Sequence, residues 1–519
     1  MEKTGRIVRK GEHGFLILVP SKTQKEENSE TFIDDETKFY SATVFNISQT
    51  EVINKQNEAA YAASLNRLQK FHLYPVIILI EFCLTNCSKE HILPPELFIT
   101  IEQYRSFLMT KDVKMILKET LQEIVNFQKR DLSDSNKTIP RRLLDQITLA
   151  TNHALIISGI RRCGKSTLLK QIMNDINEYH YFNFEDIRAT NFEVNDFNKL
   201  NEVFTENNKK CSNYFFDEIQ NVEHWERFVR SLLDQKKQIC ITGSNASLLS
   251  KELGTKLTGR HVRYELFPFS YKEMLLFTNK KAGVESFKEY FTFGGLPEYL
   301  KQKNTRILQE LFNDIITRDI IVRHGIRNAK TVKELALYLL SNVGKEYSYT
   351  NLKKDFQLGS VNTVISFVSY FEDSYLLFGV PKFEYSYRKQ LVNPKKIYAI
   401  DNGLINCNTV SFSKDDGRLL ENAVFVELKR QGKNLFYFRS KNECDFVIEE
   451  KRKITGAYQV CYQLTEDNKT REINGLMEVL NESKLDEGCI LTFNQEDKFE
   501  IEGRTIKVIP VWKWMNDFE

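Results

Sequence analysis

The run Gly159-Ile160-Arg161-Arg162-Cys163-Gly164-Lys165-Ser166, followed by Thr167, has the spacing G-x-x-x-x-G-K-[ST]. Each residue type suits a polyphosphate. Gly159 and Gly164 let the backbone turn so that successive N–H groups face inward. Lys165 reaches the outer phosphates. The Ser166 hydroxyl ligates Mg²⁺, a hard cation that takes few protein ligands and keeps several waters. Arg161 and Arg162 either contact phosphate or cover the site. Further along, the apolar run Asn213 to Phe216 ends in Asp217-Glu218. Acids at the C-terminal end of a strand lie on the ligand side of an open α/β sheet. Asp217 then holds the metal, directly or through water, and Glu218 orients or deprotonates the attacking water. A third run, Gln238 to Thr242, ends in Gly243-Ser244-Asn245. Asn245 is the candidate sensor of the γ-phosphate because its amide both donates and accepts; Ser244 is the alternative.

These residues need a scaffold that alternates strand and helix. ALIIS before the loop has the pattern of a buried strand, and TLLKQIMNDI after it that of a helix presenting its positive end to an anion. YHYFNF, YFFDE and QICITGS read as further strands, WERFVRSLLD as a helix, and Ile116 to Phe127 as an amphipathic helix that opens the series. The alternation predicts a parallel sheet with helices on both faces.

The chain has 519 residues, 41% hydrophobic and 28% charged, which suits several ordinary globular domains. A net charge of +3 is too small to argue for nucleic acid. Tyr74 to Leu84, the longest apolar run, is too short to span a bilayer and carries Glu81, so a cytoplasmic protein without membrane contact is expected. Nine scattered cysteines read as reduced thiols. Residues 1–114 carry no motif; GFLILV and VIILIEF look like strands and Asn57 to Phe71 like a helix. Because a further Met stands at position 115, this part is either an accessory domain or a non-native addition.

With GIRRCGKSTLLKQI (159–172), YFNFEDIR (181–188), YFFDEIQNVEHWERFVRSLLD (214–234), ITGSNASLLS (241–250), LTGRHVRYELFPFSYKE (257–273) and GGLPEYL (294–300) in hand, the chain resembles a prokaryotic AAA-superfamily ATPase family. Members of that family carry a C-terminal domain of unknown function with a restriction-endonuclease-like fold. The resemblance runs from about residue 115 to the end. It implies ATP as the nucleotide, and Arg260 as a sensor of the γ-phosphate or a finger in a neighbouring subunit of a homo-oligomer; the alternative for Arg260 is a surface salt bridge. The fold expected is an α/β ATPase core over 115–280, a helical lid or linker over 281–325, a winged-helix-like domain over 326–410 and a nuclease-like α/β module over 411–519.

For the winged helix, Thr331 to Leu340, Asn351 to Phe356 and Ser360 to Tyr370 read as helices, and Tyr375 to Phe378 and Lys396 to Ile400 as strands. The third helix has no Lys or Arg, so a protein partner is favoured over DNA. Lys353, Lys354, Arg388, Lys389, Lys395 and Lys396 form the basic patches on which the DNA alternative rests. In the last module, the resemblance aligns Glu421 and Asp445 with the metal-binding acids of PD-(D/E)xK nucleases. Gln459 stands in place of the second acid and Cys461 in place of the lysine. A degenerate scaffold is therefore expected rather than a nuclease.

Overall fold

The computed structural model describes residues 6–8, 15–20, 39–44, 50–52, 116–133, 138–244, 259–409 and 415–517. Asn245, Met115, the helix expected over 57–71 and the strand VIILIEF lie outside them. The chain divides into two units, Met1–Asp112 and Val113–Glu519. In the first, strand Arg6–Val8 pairs antiparallel with Thr50–Val52, and Phe15–Pro20, the expected GFLILV strand, with Phe39–Val44.

The second unit opens on α1 (Lys118–Ser133) and continues as β1 (Ala154–Ser158), α2 (Lys165–Asn174), β2 (His180–Asn183), α3 (Asp196–Asn207), β3 (Asn213–Asp217), α4 (Trp225–Asp234), β4 (Gln238–Gly243) and β5 (His261–Glu265). The strands form one parallel sheet in the order β2-β3-β4-β1-β5. All five residues of β1 are buried. Its side chains alternate between two cores, Leu155 and Ile157 on one face and Ala154 and Ile156 on the other. A strand covered on both faces needs an unbroken apolar run, which is why ALIIS was legible. The edge strand β5 (HVRYE) is half exposed and gives no such run.

After the sheet, α5 (Tyr271–Thr278) starts at a capping box between Ser270 and Glu273. Helices α6 (Val284–Phe293), α7 (Pro297–Gln302) and α8 (Thr305–Asp314) follow, and α8 runs into a π-helical segment, Ile315–Val322. The Gly294-Gly295 pair has a concrete reason. Gly294 has φ +70°, and a Cβ there would lie 2.2 Å from the Asp401 carboxylate. Asp401 accepts the Gly295 N–H at 2.6 Å and the Leu404 N–H at 3.2 Å, and its burial pushes its pKa up to about 6.

The middle region contains α9 (Ala329–Ser341), β6 (Glu346–Tyr347), α10 (Tyr349–Asp355), α11 (Val361–Asp373), β7 (Leu377–Pro381), α12 (Tyr387–Val392), β8 (Lys395–Ala399) and α13 (Asn402–Asn408). Its antiparallel sheet has the order β6-β8-β7. The three helices and two strands expected here are present; the two-residue β6 and the short helices α12 and α13 are additional. The last region holds α14 (Asp416–Arg430), β9 (Asn434–Arg439), β10 (Glu443–Glu450), β11 (Lys453–Cys461), α15 (Glu466–Ser483), β12 (Glu487–Thr492), β13 (Asp497–Ile501), β14 (Arg504–Pro510) and α16 (Val511–Asp517). They build a mixed six-stranded sheet in the order β9-β10-β11-β12-β14-β13. One hydrophobic cluster runs from the β1 face of the parallel sheet through the middle region to α14 and β10. Among the described residues no helix is long and apolar enough to cross a membrane.

Candidate functional site

The loop between β1 and α2 leaves the C-terminal edge of the parallel sheet. Gly159 is required by packing, since a Cβ there would lie 2.2 Å from the Leu266 carbonyl oxygen. Gly164 is required by conformation, at φ +100° where it caps α2. Cys163 is fully buried, and its carbonyl accepts from Arg141 Nη1 at 2.8 Å. Arg141 is itself buried, bonded to Glu273 at 2.9 Å and to the Phe267 carbonyl at 2.7 Å. The loop is therefore braced from behind by a residue outside the motif.

Lys165 donates to the Gly159 and Ile160 carbonyls, each at 3.3 Å, and pairs with Glu218 at 3.3 Å. Burial is the largest effect and opposes the lysine charge, but Glu218, Cys163 and Asp217 together outweigh it and raise the Lys165 pKa. Burial likewise raises Glu218, yet Lys165, Gln220 and Arg161 together hold it below the usual carboxylate range. Asp217 moves the other way: burial and the neighbouring Glu218 charge raise it, although the Thr242 and Ser166 hydroxyls bond to it.

These acids are aimed by the neighbouring strand. Thr242 of β4 is fully buried, donates to Asp217 Oδ1, and accepts the Glu218 N–H at 3.0 Å. Glu218 is left-handed at φ +53°, which turns its side chain out of the strand direction. Gln220 donates to Glu218 and reaches Ser244 Oγ at 3.4 Å. So Ser244, the alternative to Asn245, joins the acids through one side chain.

Arg161 forms a two-pronged contact with Asp319 on the π-helical segment, at 3.1 and 3.0 Å, and meets Glu185 at 3.1 Å. Arg162 pairs with Glu298 at 3.2 Å and Asp314 at 3.7 Å. Both loop arginines are thus held by carboxylates, three of the four on the helical region. A cleft of ≈ 1250 Å³ is lined by Arg161, Arg162, Gly164 to Thr167, Glu218 and Asp319, with Ile139, Phe269, Phe277 and Pro297 as apolar walls; Asp217 and Thr242 lie outside this lining.

Arg260 is not part of this cleft. Its carbonyl accepts from Ala154 N–H at the start of β1, and its guanidinium pairs with Asp234 at 2.7 Å. Ala154 and the loop lie at opposite ends of a five-residue strand, a separation of roughly 15 Å at the usual rise. In this structure Arg260 forms the surface salt bridge, away from the phosphate loop.

The basic patch also needs correction at one member. Lys396 is buried, not displayed: its Nζ lies 3.0 Å from Glu421, 2.7 Å from Glu443 and 2.8 Å from Asp445. Lys395 donates to the Tyr349 hydroxyl at 3.2 Å. Gln459 and Asp445 are neighbours, the Gln459 carbonyl accepting the Asp445 N–H at 3.2 Å. Cys461 donates to the Gln463 carbonyl at 3.0 Å.

Arg141, Thr242 and Asp319 were not site candidates from sequence, and Lys396 was one only as a member of a basic patch. A hydroxyl residue near the end of the third strand was a weak signal for Thr242; the others had none, because their partners are distant in the chain.

Three family models tile the second unit: an AAA domain matches residues 151–275, a domain of unknown function (DUF8612) 284–415, and another (DUF4143) 416–514. The chain is 38% identical over 434 residues to the uncharacterized protein MJ1544 of Methanocaldococcus jannaschii, covering 77% of this chain and 96% of that one. It is 28% identical over 387 residues to an uncharacterized protein of Haemophilus influenzae, covering 70% and 94%. Among solved structures, the Walker-type ATPase PABY2304 of Pyrococcus abyssi aligns with TM-score 0.34 and 16% identity over 49% of this chain and 91% of that one.

Proposed function

The chain belongs to the same family as MJ1544, with an AAA-type P-loop ATPase domain followed by two domains of unknown function, and we propose that it is a Mg²⁺-dependent ATP hydrolase. The observation that carries this reading is that Lys165, Ser166 and Glu218, from two separate strand ends, line one nucleotide-sized cleft, with the buried Asp217 next to Glu218 behind it.

The loop amides and the α2 N-terminus receive the phosphates, with Gly159, Gly164 and Thr167 shaping the cradle. Lys165 neutralises the outer oxygens, which compete with Glu218 for its ammonium. Glu218, once released, accepts a proton from the attacking water. The Ser166 hydroxyl and the Asp217 carboxylate are an all-oxygen donor pair that fits Mg²⁺. When bound there, the ion supplies charge neutralisation on the phosphate oxygens. Thr242 holds both acids in place, and Ser244 or Asn245 reads the γ-phosphate. Ile139, Phe269, Phe277 and Pro297 offer an apolar slot for the base.

Hydrolysis is coupled to the rest of the chain, and two contacts support this. Arg161 and Arg162 tie the loop to the helical region. The Tyr375 hydroxyl, from the middle region, lies 2.7 Å from Ser158 Oγ, the residue just before the loop, and Arg263 joins both. We read the middle region as a winged helix and the C-terminal module as restriction-endonuclease-like. The supports are the β6-β8-β7 sheet and the helix, three antiparallel strands, helix and parallel strand from α14 to β12. Both serve as partner-binding scaffolds, with a protein favoured over DNA. Arg260 acts as a finger only across a subunit boundary of an oligomer.

The test is steady-state ATP hydrolysis with Mg²⁺. Wild type turns over. Lys165→Ala loses roughly 10²–10³-fold, as for removal of a charge-stabilising group. Glu218→Gln loses roughly 10²–10⁴-fold while still binding ATP. A wild type that binds ATP without turnover would leave only a nucleotide-gated switch and remove the role given to Glu218.

A further inference from the structure

Glu421 of α14 and Glu443 and Asp445 of β10 converge on one point, and that point is the Lys396 ammonium of β8, at 3.0, 2.7 and 2.8 Å. Tyr398 stands two residues along the same strand, hence on the same face, and donates to Glu421 at 2.5 Å. The second oxygen of Asp445 accepts the Val460 N–H at 3.0 Å. The lysine side chain is 3% exposed.

A restriction-endonuclease-like module implies Mg²⁺ at such a centre, and the residues present do not fit one. The carboxylate oxygens close on an ammonium. Gln459 is neutral and engaged at both ends, its carbonyl by the Asp445 N–H and its amide by Glu472 at 2.6 Å. Cys461 brings no positive charge. Among the described residues no group of three or more His, Cys, Asp or Glu is arranged to hold a metal ion.

We propose that this acid centre is a metal-free clasp between two regions of the chain, in which Lys396 takes the place of the cation. The carboxylates belong to the C-terminal module and the ammonium to the middle region, so without the other region Lys396 and the buried Glu421 and Asp445 lose their counter-charge, while the more exposed Glu443 keeps Arg439 at 3.8 Å. A buried carboxylate cluster stripped of its counter-charge is strongly unfavourable, whereas a neutral replacement of the whole set is tolerated. The clasp thereby fixes β8, and with it the sheet that also contains β7, against α14 and β10. It depends on neither nucleotide nor the hydrolysis proposed above.

The experiment uses the full-length, nucleotide-free protein. Mn²⁺ is titrated by electron paramagnetic resonance, and thermal melting and amide hydrogen exchange are measured for wild type, Lys396→Met, and the combined Lys396→Met/Glu421→Gln/Asp445→Asn variant. Wild type shows no Mn²⁺ uptake that Asp445→Asn abolishes. Lys396→Met melts on the order of 10 °C lower, with exchange at least tenfold faster in α14 and β10. The neutralised triple variant recovers most of that loss. If Lys396→Met does not fold, recovery in the triple variant still decides. Asp445-dependent Mn²⁺ uptake by wild type, a Lys396→Met protein that melts like wild type, or a triple variant that recovers nothing would each overturn the clasp.

Discussion

Lys165 and Lys396 are equally sealed, with side chains 4% and 3% exposed, and both face carboxylates. Their surroundings separate them. Lys165 meets one acid and two loop carbonyls at the floor of a large open cleft. Lys396 meets three acids between two packed regions. The first lysine can exchange Glu218 for a phosphate oxygen, because a competing anion has a path in. The second has its partners supplied by the fold. A buried ion pair is thus a site when it opens on a cavity and a joint when it does not. Pair distance alone does not distinguish them.

The sharpest way to break this comparison is to cross the two lysine variants over two readouts. Lys165→Ala should abolish turnover and shift the melting temperature little, because Glu218 stays reachable by water from the cleft. Lys396→Met should melt much earlier and, below its transition, still hydrolyse ATP. Similar profiles for both variants in both assays would erase the distinction.

A smaller effect is expected at the loop arginine. Asp319→Asn removes the two-pronged contact and leaves Arg161 held only by Glu185, loosening the guanidinium toward phosphate. ATP affinity should rise roughly fivefold, the worth of about 1 kcal/mol. Isothermal titration checks it, and unchanged affinity would make the Arg161–Asp319 contact purely structural.

pH offers a test of sign. In the acid centre, burial and then the Asp445 charge raise Glu421, against the lowering effect of Lys396 and Tyr398. The folded protein therefore binds more protons there than the unfolded chain, and stability falls as pH rises above 4.5 toward the raised value. In the cleft, Glu218 is depressed, so its contribution is present above pH 4.5 and is lost as pH falls through its lowered value. Melting curves from about pH 2 to 8 should show the alkaline decline vanish in Glu421→Gln and, below pH 4.5, the acid decline shrink in Glu218→Gln.

The smallest effect belongs to Arg260. Its pair with Asp234 is exposed, and such pairs contribute about 0.2–1 kcal/mol. Arg260→Ala should leave turnover of the isolated subunit within about twofold, since no interaction made in the transition state is removed. A loss of roughly 10³-fold confined to an oligomer would identify a finger in trans.

Sequence alone determined the phosphate loop, the strand-end acids and the parallel sheet. Each of these is local. Gly159 to Thr167 is contiguous, Asp217-Glu218 ends its own strand, and a strand buried on both faces must be apolar throughout. The substitutions at Gln459 and Cys461 were local too, so a degenerate centre was legible without its cause. Only the tertiary structure decided what stands in that centre. Lys396 precedes Glu421 by 25 residues and Asp445 by 49, and on its own strand it read as one more exposed basic residue. The same holds for Thr242 beneath the acids, Arg141 behind Cys163 and Asp319 on Arg161, and for Arg260 at the far end of the sheet. Motif chemistry follows from neighbours along the chain. The partner of a buried charge follows from which distant elements pack together, and no spacing records that.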